Sequence, residues 1–204
     1  MHLIFYNICI VFSQLFHKKP AQDPQDVLPE LFKNPVSEML AIQMLSRDYG
    51  APMRLTHKEA DIAVGYMQEK LFKAGKMVLA EGQEVNVDYM LIVIDGDASV
   101  ETIMVGQSNP MLLTVLGPGT FLGELGVIDQ GPRSTTCTAA SDLTCAVLTG
   151  ESFQKLLKEH PAVGVKLLLL ITKRMAERLR DTTLKLKLLM QLNKTFAEEF
   201  GVAD

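Results

Sequence analysis

Cysteine and histidine are scarce in this 204-residue chain, and both shortages narrow the chemistry it can perform. The three cysteines have no Cys-x-x-Cys spacing, which argues against a disulfide scaffold and favours free thiols in a reducing, cytoplasmic compartment. The four histidines all lie outside residues 75–148, the region with the most strand-like sequence. Metal-dependent enzymes on β-barrels need histidines and carboxylates clustered on strands, so we expect no metal site, no cofactor and no enzymatic activity.

Charged residues are absent from the first sixteen positions, "MHLIFYNICIVFSQLF". This run is shorter than the about 20 apolar residues that cross a bilayer. It also lacks the features of a signal peptide, because Lys18 and Lys19 follow it and no small-x-small cleavage site is present. Three interpretations stay open: packing on the protein or a dimer partner, weak contact of residues 1–16 with a membrane, or a misplaced start.

The net charge of −4 gives no reason to expect a nucleic-acid partner. The charge is uneven, with ten basic and six acidic residues from Phe153 onward. We interpret this basic C-terminal part as the solvated face of a helix.

The sequence divides into three parts. Residues 1–52 hold the apolar segment, a polar linker and a helix over about 28–45, with Pro35 as a candidate break in that helix. Residues 53–150 begin with a helix from Thr56 to about Leu71, where Thr56 and Glu59 form a capping-box pattern. Residues 151–204 contain the C-terminal helices. The residues expected to be buried in the first helix are Leu31, Met39, Ile42 and Leu45.

Residues 75–148 carry short β-type runs such as "YMLIVI", "MLLTVL" and "TCAVL", many of them separated by glycine-containing turns. This spacing predicts a mainly β fold, a sandwich or barrel without crossover helices. The sequence "DGD" at 95–97 predicts a hairpin between the strands beside it.

The last long helix has a repeating apolar face. Its spacings alternate between four and three over about four heptads, which favours dimerisation through residues 162–200 over packing on the same chain alone. These positions, called the seam below, are Leu168, Thr172, Met175, Leu179, Thr182, Leu186, Leu189, Asn193, Phe196 and Phe200.

The segment "GELGVIDQGPRSTT" at 123–136 combines one carboxylate and one guanidinium on a short, glycine-rich, largely apolar loop. Glu124 is suited to a hydroxyl donor such as a sugar 2′-OH, whereas Arg133 offers a fork of donors for two phosphate oxygens. The alternative from composition alone is a salt bridge between Glu124 and Arg133 across a turn.

The same segment resembles the phosphate-binding cassette of the cyclic-nucleotide-binding domain family. The resemblance rests on "FLGELGVIDQGPRSTT", the preceding "LGPGT", "FKAGKMVLAEGQ" at 72–83 and "YMLIVIDGDASV" at 89–100. It covers about residues 70–183. It implies a β-roll, or double-stranded jelly roll, with N-terminal helices and a long C-terminal dimerisation helix.

The family's ligand contacts carry over onto this loop. Gly123 and Glu124 are expected on the ribose side, and Leu125 is counted with them as a ligand-binding position. Arg133 is expected to bind the cyclic phosphate. Ser134 would contact phosphate or base, and Thr135 would assist through its backbone.

The long helix is similar to that of the bacterial catabolite-activator branch, which carries Met-Ala-x-Arg-Leu-x-x-Thr-Ser where this chain has "MAERLRDTT" at 175–183. The match implies that Arg178 lies near the bound nucleotide. It also implies that Thr182 and Thr183 contact adenine, one of them across the dimer.

Three departures from the family pattern bear on function. The connection "EGQEVNVDY" is unlike the family's usual turn. Ser134 suits cGMP as well as cAMP. The last ten residues, "TFAEEFGVAD", are too few for a helix-turn-helix, so DNA binding is not expected.

We therefore expect a dimeric, cytoplasmic cyclic-nucleotide sensor that binds cAMP and acts on an unknown protein partner. A cGMP-binding regulator and a ligand-free dimeric scaffold of the same fold are the alternatives. The role of a kinase regulatory subunit would need an inhibitory basic segment near the N-terminus, where only "HKK" at 17–19 is available.

Overall fold

The computed structural model describes residues 32–46, 54–103 and 110–200, which form eight strands and five helices. The predictions for residues 1–31 lie outside the described residues. The helices are α1 Pro35–Ser46, α2 His57–Val64, α3 Glu124–Asp129, α4 Gly150–Glu159 and α5 Pro161–Phe200. The strands are β1 Gln68–Phe72, β2 Met77–Leu79, β3 Tyr89–Asp95, β4 Ala98–Ile103, β5 Pro110–Leu116, β6 Phe121–Leu122, β7 Thr136–Ala139 and β8 Leu143–Thr149.

The strands form two four-stranded antiparallel sheets, in the orders β1-β8-β3-β6 and β2-β7-β4-β5. Helices flank this β-roll before and after it in the chain. The predicted mainly β fold with N-terminal helices and a long C-terminal helix is therefore confirmed.

Strand β3 lies between two cores, which explains its unbroken apolar sequence. Met90 and Ile92 pack into a cluster with the helices, whereas Leu91 and Val93 pack into a second cluster between the sheets. Because successive side chains of a strand point to opposite faces, a strand covered on both faces has no polar alternation. The second cluster lies on the side of β3 that faces the other sheet, β2-β7-β4-β5.

Helix α2 begins as predicted but ends earlier. The Thr56 side chain accepts from the Glu59 N–H and the Glu59 carboxylate accepts from the Thr56 N–H, so the capping box is confirmed. The helix stops at Val64, not near Leu71, because the chain turns at Gly65 and then pairs with β8 as strand β1. Leu71 is on that strand and is 72% exposed.

Helix α1 starts at Pro35, where a proline at the first helical position loses no hydrogen bond. Ile42 and Leu45 are buried as predicted. The prediction for Met39 is wrong, since its side chain is 48% exposed, while Ala41 is buried on the same helix.

The predicted hairpin at "DGD" is also wrong. Strand β3 already pairs with β8 on one edge and β6 on the other, so it has no free edge for β4. The turn carries the chain from one sheet to the other, where β4 pairs with β5 and β7.

Helix α5 packs on its own domain over only part of its length. Its buried residues Val163, Leu167, Leu170 and Ile171 join the core cluster of the helices and β3. At the seam positions, Leu168 and Met175 are partly buried against that cluster. The seam residues Leu179, Leu186, Leu189 and Phe196 are 56–68% exposed.

Candidate functional site

The loop at 123–136 connects β6 to β7 and includes the short helix α3. Gly123 precedes α3 with φ of 70°, in the left-handed region that favours glycine. A Cβ on Gly126 would lie 2.0 Å from the Val87 carbonyl oxygen. A Cβ at Gly123 or Gly126 would lie 2.4 or 2.7 Å from Nη1 of Arg133. Glycine at both positions therefore lets the loop backbone close around the guanidinium.

Glu124 is the first residue of α3, and its side chain is only 3% exposed. Its Oε1 accepts a hydrogen bond of 2.7 Å from Nη1 of Arg178 on α5. The Arg178 Nη2 donates to the Phe121 carbonyl at 3.0 Å. Oε2 of Glu124 is buried and has no hydrogen-bond partner among the described residues. Arg178 thus attaches α5 to the start of the loop, and half of the Glu124 carboxylate is left unpaired.

Arg133 follows α3 and is 5% exposed. Its Nη1 donates to the Gly123 carbonyl at 2.7 Å, and its Nη2 donates to the Tyr89 carbonyl at 2.9 Å. The Arg133 Cζ lies 4.5 Å from the centroid of the Tyr89 ring. Its Nε is buried, and nothing in the part of the chain that the structure describes forms a hydrogen bond with it. Burial lowers the pKa of Arg133, and the neighbouring Tyr89 opposes that shift.

Glu124 and Arg133 do not form the salt bridge that composition alone allowed. The carboxylate pairs with Arg178 from α5, and the guanidinium binds two backbone carbonyls. Each of the two side chains keeps one buried polar atom without a partner, and these atoms differ in sign. Because most buried polar groups are hydrogen-bonded, an acceptor and a donor left over on one loop call for an explanation.

The loop lies within a segment of the chain that is similar to a known protein family. Residues 69–160 match the cyclic nucleotide-binding domain family. The chain is 32% identical over 143 residues to the cyclic AMP receptor protein of Thermus thermophilus, covering 69% of this chain and 62% of that protein. A solved cyclic nucleotide-binding domain from Methylobacillus flagellatus kt superposes with a TM-score of 0.61 at 26% identity, covering 71% of this chain and 78% of the other.

Residues 69–160 form a cyclic nucleotide-binding domain. The domain is also similar to eukaryotic proteins, as shown by 26% identity over 137 residues to the cAMP-dependent protein kinase regulatory subunit of Dictyostelium discoideum. That match covers 67% of this chain and 41% of the subunit. The chain therefore spans about three fifths of the length of the bacterial receptor and less of the kinase subunit.

Within this domain, the structure brings together some of the site residues predicted from the sequence. Gly123, Glu124 and Arg133 lie in contact around the loop, and Arg178 reaches it from α5. Leu125 and Ser134 are exposed, and Thr135 is half-buried at the start of β7. Their predicted ligand contacts remain predictions.

The two threonines predicted to contact the base stand apart from the loop. Thr182 and Thr183 are exposed on α5, beyond Arg178. Each hydroxyl donates a 2.8 Å hydrogen bond to the carbonyl four residues earlier, those of Arg178 and Leu179. In the part of the chain that the structure describes, neither hydroxyl bonds to the loop of the cyclic nucleotide-binding domain.

No role was predicted for Tyr89, which contacts Arg133 through both its ring and its carbonyl. One signal was available. Tyr89 is two residues before Leu91 and four before Val93, so strand alternation places it on the face that meets the other sheet. As the first residue on this face of β3, the aromatic Tyr89 was therefore a candidate for the site.

Cys137 on β7 is a second residue for which no role near the site was predicted. It is buried beside Leu79 and Val100 in the cluster between the sheets. Burial raises the pKa of its thiol to about 11; Glu124 adds to this rise, whereas Thr135, Arg178 and Arg133 oppose it. The thiol is therefore neutral near pH 7 and acts as part of the apolar wall.

Two searches of the described residues were negative. Over residues 32–46, 54–103 and 110–200 we find no cluster of three or more histidine, cysteine, aspartate or glutamate side chains arranged to bind a metal ion. Over the same ranges no helix combines the length and apolarity that a membrane span requires.

Proposed function

We propose that this chain is a cyclic-nucleotide sensor that binds cAMP at the loop 123–136 and acts on a protein partner as a homodimer. The observation that carries the proposal is the pair of buried polar atoms without partners, Oε2 of Glu124 and Nε of Arg133. An unpartnered buried donor or acceptor costs about 1–3 kcal/mol, so a ligand that satisfies both atoms would recover that free energy. A ribose hydroxyl suits the carboxylate, and a phosphate oxygen suits the guanidinium.

The charges around the loop fit one negative phosphate. Arg178 already pairs with Glu124, so those two charges offset each other. Arg133 is paired with neutral carbonyls, and its positive charge is therefore available to an anion. Binding a cyclic phosphate would neutralise a guanidinium that is 5% exposed and thereby reduce the cost of burying it.

The threonines on α5 favour adenine over guanine in this proposal. Because the hydroxyl hydrogens of Thr182 and Thr183 are committed to helix carbonyls, only acceptor lone pairs remain for a ligand. The exocyclic amino group of adenine is a donor and suits such an acceptor. Guanine carries a carbonyl oxygen at the same ring position, which would face another acceptor.

The exposed part of the seam supports the homodimer. Its four large apolar residues, Leu179, Leu186, Leu189 and Phe196, lie on one side of α5 and are more than half exposed in the single chain. A second α5 packed along this side would cover them. Thr182 belongs to the same row, so dimerisation and base binding would meet on one helix, and ligand binding would reposition the two helices for the partner.

Localisation in the cytoplasm is part of the proposal. Cys137 and Cys145 are both free and buried. Two unpaired thiols inside the roll suit a reducing compartment.

Calorimetric titration with cAMP and with cGMP tests the proposal. We expect wild type to bind cAMP at micromolar concentrations or tighter and to bind cGMP more weakly. Arg133→Ala should weaken cAMP binding by about 2–5 kcal/mol, the typical cost of removing one partner of a desolvated charge pair. Arg54→Ala is the matched control, since Arg54 is exposed and lies before α2, away from the loop.

The titration has clear contrary outcomes. If wild type binds neither nucleotide at micromolar levels, the chain is not a sensor, and the ligand-free scaffold is supported. If Arg133→Ala binds as tightly as Arg54→Ala, the role given to Arg133 is wrong. If Thr182→Val leaves the preference between cAMP and cGMP unchanged, the threonine does not select the base.

A further inference from the structure

Tyr89 makes two different contacts with the side chain assigned above to the phosphate. Its carbonyl accepts from Nη2 of Arg133 at 2.9 Å, and its ring lies with the centroid 4.5 Å from Cζ. We propose that the Tyr89 ring is a positioning element that fixes the plane of the Arg133 guanidinium for an anionic ligand. This inference rests on the proposed function, because it presumes that Arg133 binds the phosphate.

The need for positioning follows from the arginine side chain itself. An arginine has several rotatable bonds and about 2 kcal/mol of rotamer entropy, so its fork binds well only when its orientation is fixed beforehand. The carbonyls of Gly123 and Tyr89 fix Nη1 and Nη2 in the plane of the guanidinium. A ring against the face of that plane restricts the remaining rotation and leaves the Nε edge for a ligand.

The ring also reduces the cost of keeping the cation buried. Arg133 is 5% exposed, and its guanidinium has no carboxylate partner among residues 32–46, 54–103 and 110–200. The face of an aromatic ring carries negative charge density, and its attraction for a guanidinium is stronger where water is excluded.

Tyr89 is held on a rigid part of the fold. It pairs with Thr149 in the register of β3 and β8, and the next residue of that pairing, Met90, is fully buried. On the other side, the Gly150 N–H donates to the Asp88 carbonyl at 2.5 Å. The ring is therefore carried by a strand that is paired on both edges, whereas Arg133 is carried by the loop between β6 and β7.

Affinity for cAMP tests the inference through two substitutions of one residue. Tyr89→Leu removes the ring face and retains the carbonyl, so we expect binding about 3- to 30-fold weaker, the range of a cation–π contact. Tyr89→Phe keeps the ring face and should retain most of the affinity. Wild-type affinity in Tyr89→Leu overturns the inference, and so does an equal loss in Tyr89→Phe.

Phe72→Leu is the matched control for stability. The Phe72 ring also lies near a cation, with Lys70 Nζ 5.3 Å from its centroid, but it is on β1, which pairs with β8. We expect Phe72→Leu to lower the unfolding temperature and leave cAMP affinity unchanged. If it weakens binding as much as Tyr89→Leu, loss of packing explains the effect and the inference is overturned.

A spectroscopic arm separates this inference from the proposed function. The chain has no tryptophan, so Tyr89→Trp introduces a single indole next to the guanidinium. Without nucleotide, the emission of this indole should differ between the Tyr89→Trp single variant, which retains Arg133, and the Tyr89→Trp/Arg133→Ala double variant. Identical emission overturns the inference. A difference in emission together with no cAMP binding by wild type supports the contact between Tyr89 and Arg133 and rejects the proposed function.

Discussion

The two halves of α5 have similar sequences and opposite surroundings. The first half, residues 161–178, buries Val163, Leu167, Leu170 and Ile171 against the roll. The second half, residues 179–200, has comparable leucines, and those that the structure describes are more than half exposed. Arg178 lies at the boundary and makes the last attachment to the loop through Glu124.

This difference shows what an apolar row along a helix can and cannot predict. The seam spacing of four and three residues runs through both halves without a break. In the first half, Leu168 and Met175 pack on the core of their own domain, as a helix lying on a small β domain would. In the second half the domain no longer reaches the helix, and a second copy becomes the proposed cover. Packing on the same chain therefore explains the first half, and dimerisation is the proposal for the second half.

The largest effect is expected in the first half. Leu170 is 1% exposed, so Leu170→Ala should lower the free energy of unfolding by about 2–5 kcal/mol. Urea unfolding followed by circular dichroism measures this change. Leu189→Ala makes the same truncation in the exposed half and should cost less than about 0.5 kcal/mol in the monomer. Equal losses in the two variants would contradict the division of α5 into a covered and an uncovered half.

A smaller effect is expected at the boundary. Arg178→Met removes the hydrogen bond to Glu124 and leaves a carboxylate that is 3% exposed without a partner, at a cost of about 1–3 kcal/mol. Thermal unfolding measures the loss. Arg180→Met is the control, because Arg180 is exposed on the next turn of the helix. If both variants are as stable as wild type, the hydrogen bond between Arg178 and Glu124 does not stabilise the fold.

The smallest effect on monomer stability, and the sharpest on assembly, is expected in the second half. Leu189→Lys should reduce the mass measured by sedimentation from two chains to one, while the free energy of unfolding of the monomer changes by less than about 0.5 kcal/mol. Leu188→Lys is the matched control, since one residue turns an α-helix by about 100° and moves the charge off the seam. Dissociation of both variants, or of neither, would reject the seam as the interface.

The part of the candidate site that could be predicted is the part that depends on residue type. Glu124 and Arg133 stand out as charges on an apolar, glycine-rich loop, and the resemblance to the family drew attention to Arg178. The partners that hold Arg133 are backbone carbonyls of Gly123 and Tyr89, and every residue has a carbonyl. The residue types of Gly123 and Tyr89 therefore do not predict that their carbonyls accept from Arg133.

Pairing between strands explains the main errors in the predicted fold. Residues 65–71 were assigned to a helix because their apolar residues fit a helical row, but β8 offered an edge to which β1 pairs. The hairpin at residues 95–97 was assigned from its turn sequence, but both edges of β3 were taken by strands distant in the chain. Local sequence carries no information about which edges are free.

The sequence by itself determined the alternation of strands and turns, the capping box of α2, the helical turn at the loop and the two charges on that loop. These features depend on contacts between residues close in the chain. Only the tertiary structure decided that Glu124 pairs with Arg178, that Tyr89 lies on Arg133, and where α5 leaves the roll. Each of these joins residues more than 40 positions apart or depends on how far the folded domain extends, and both are set by how the two sheets pack together.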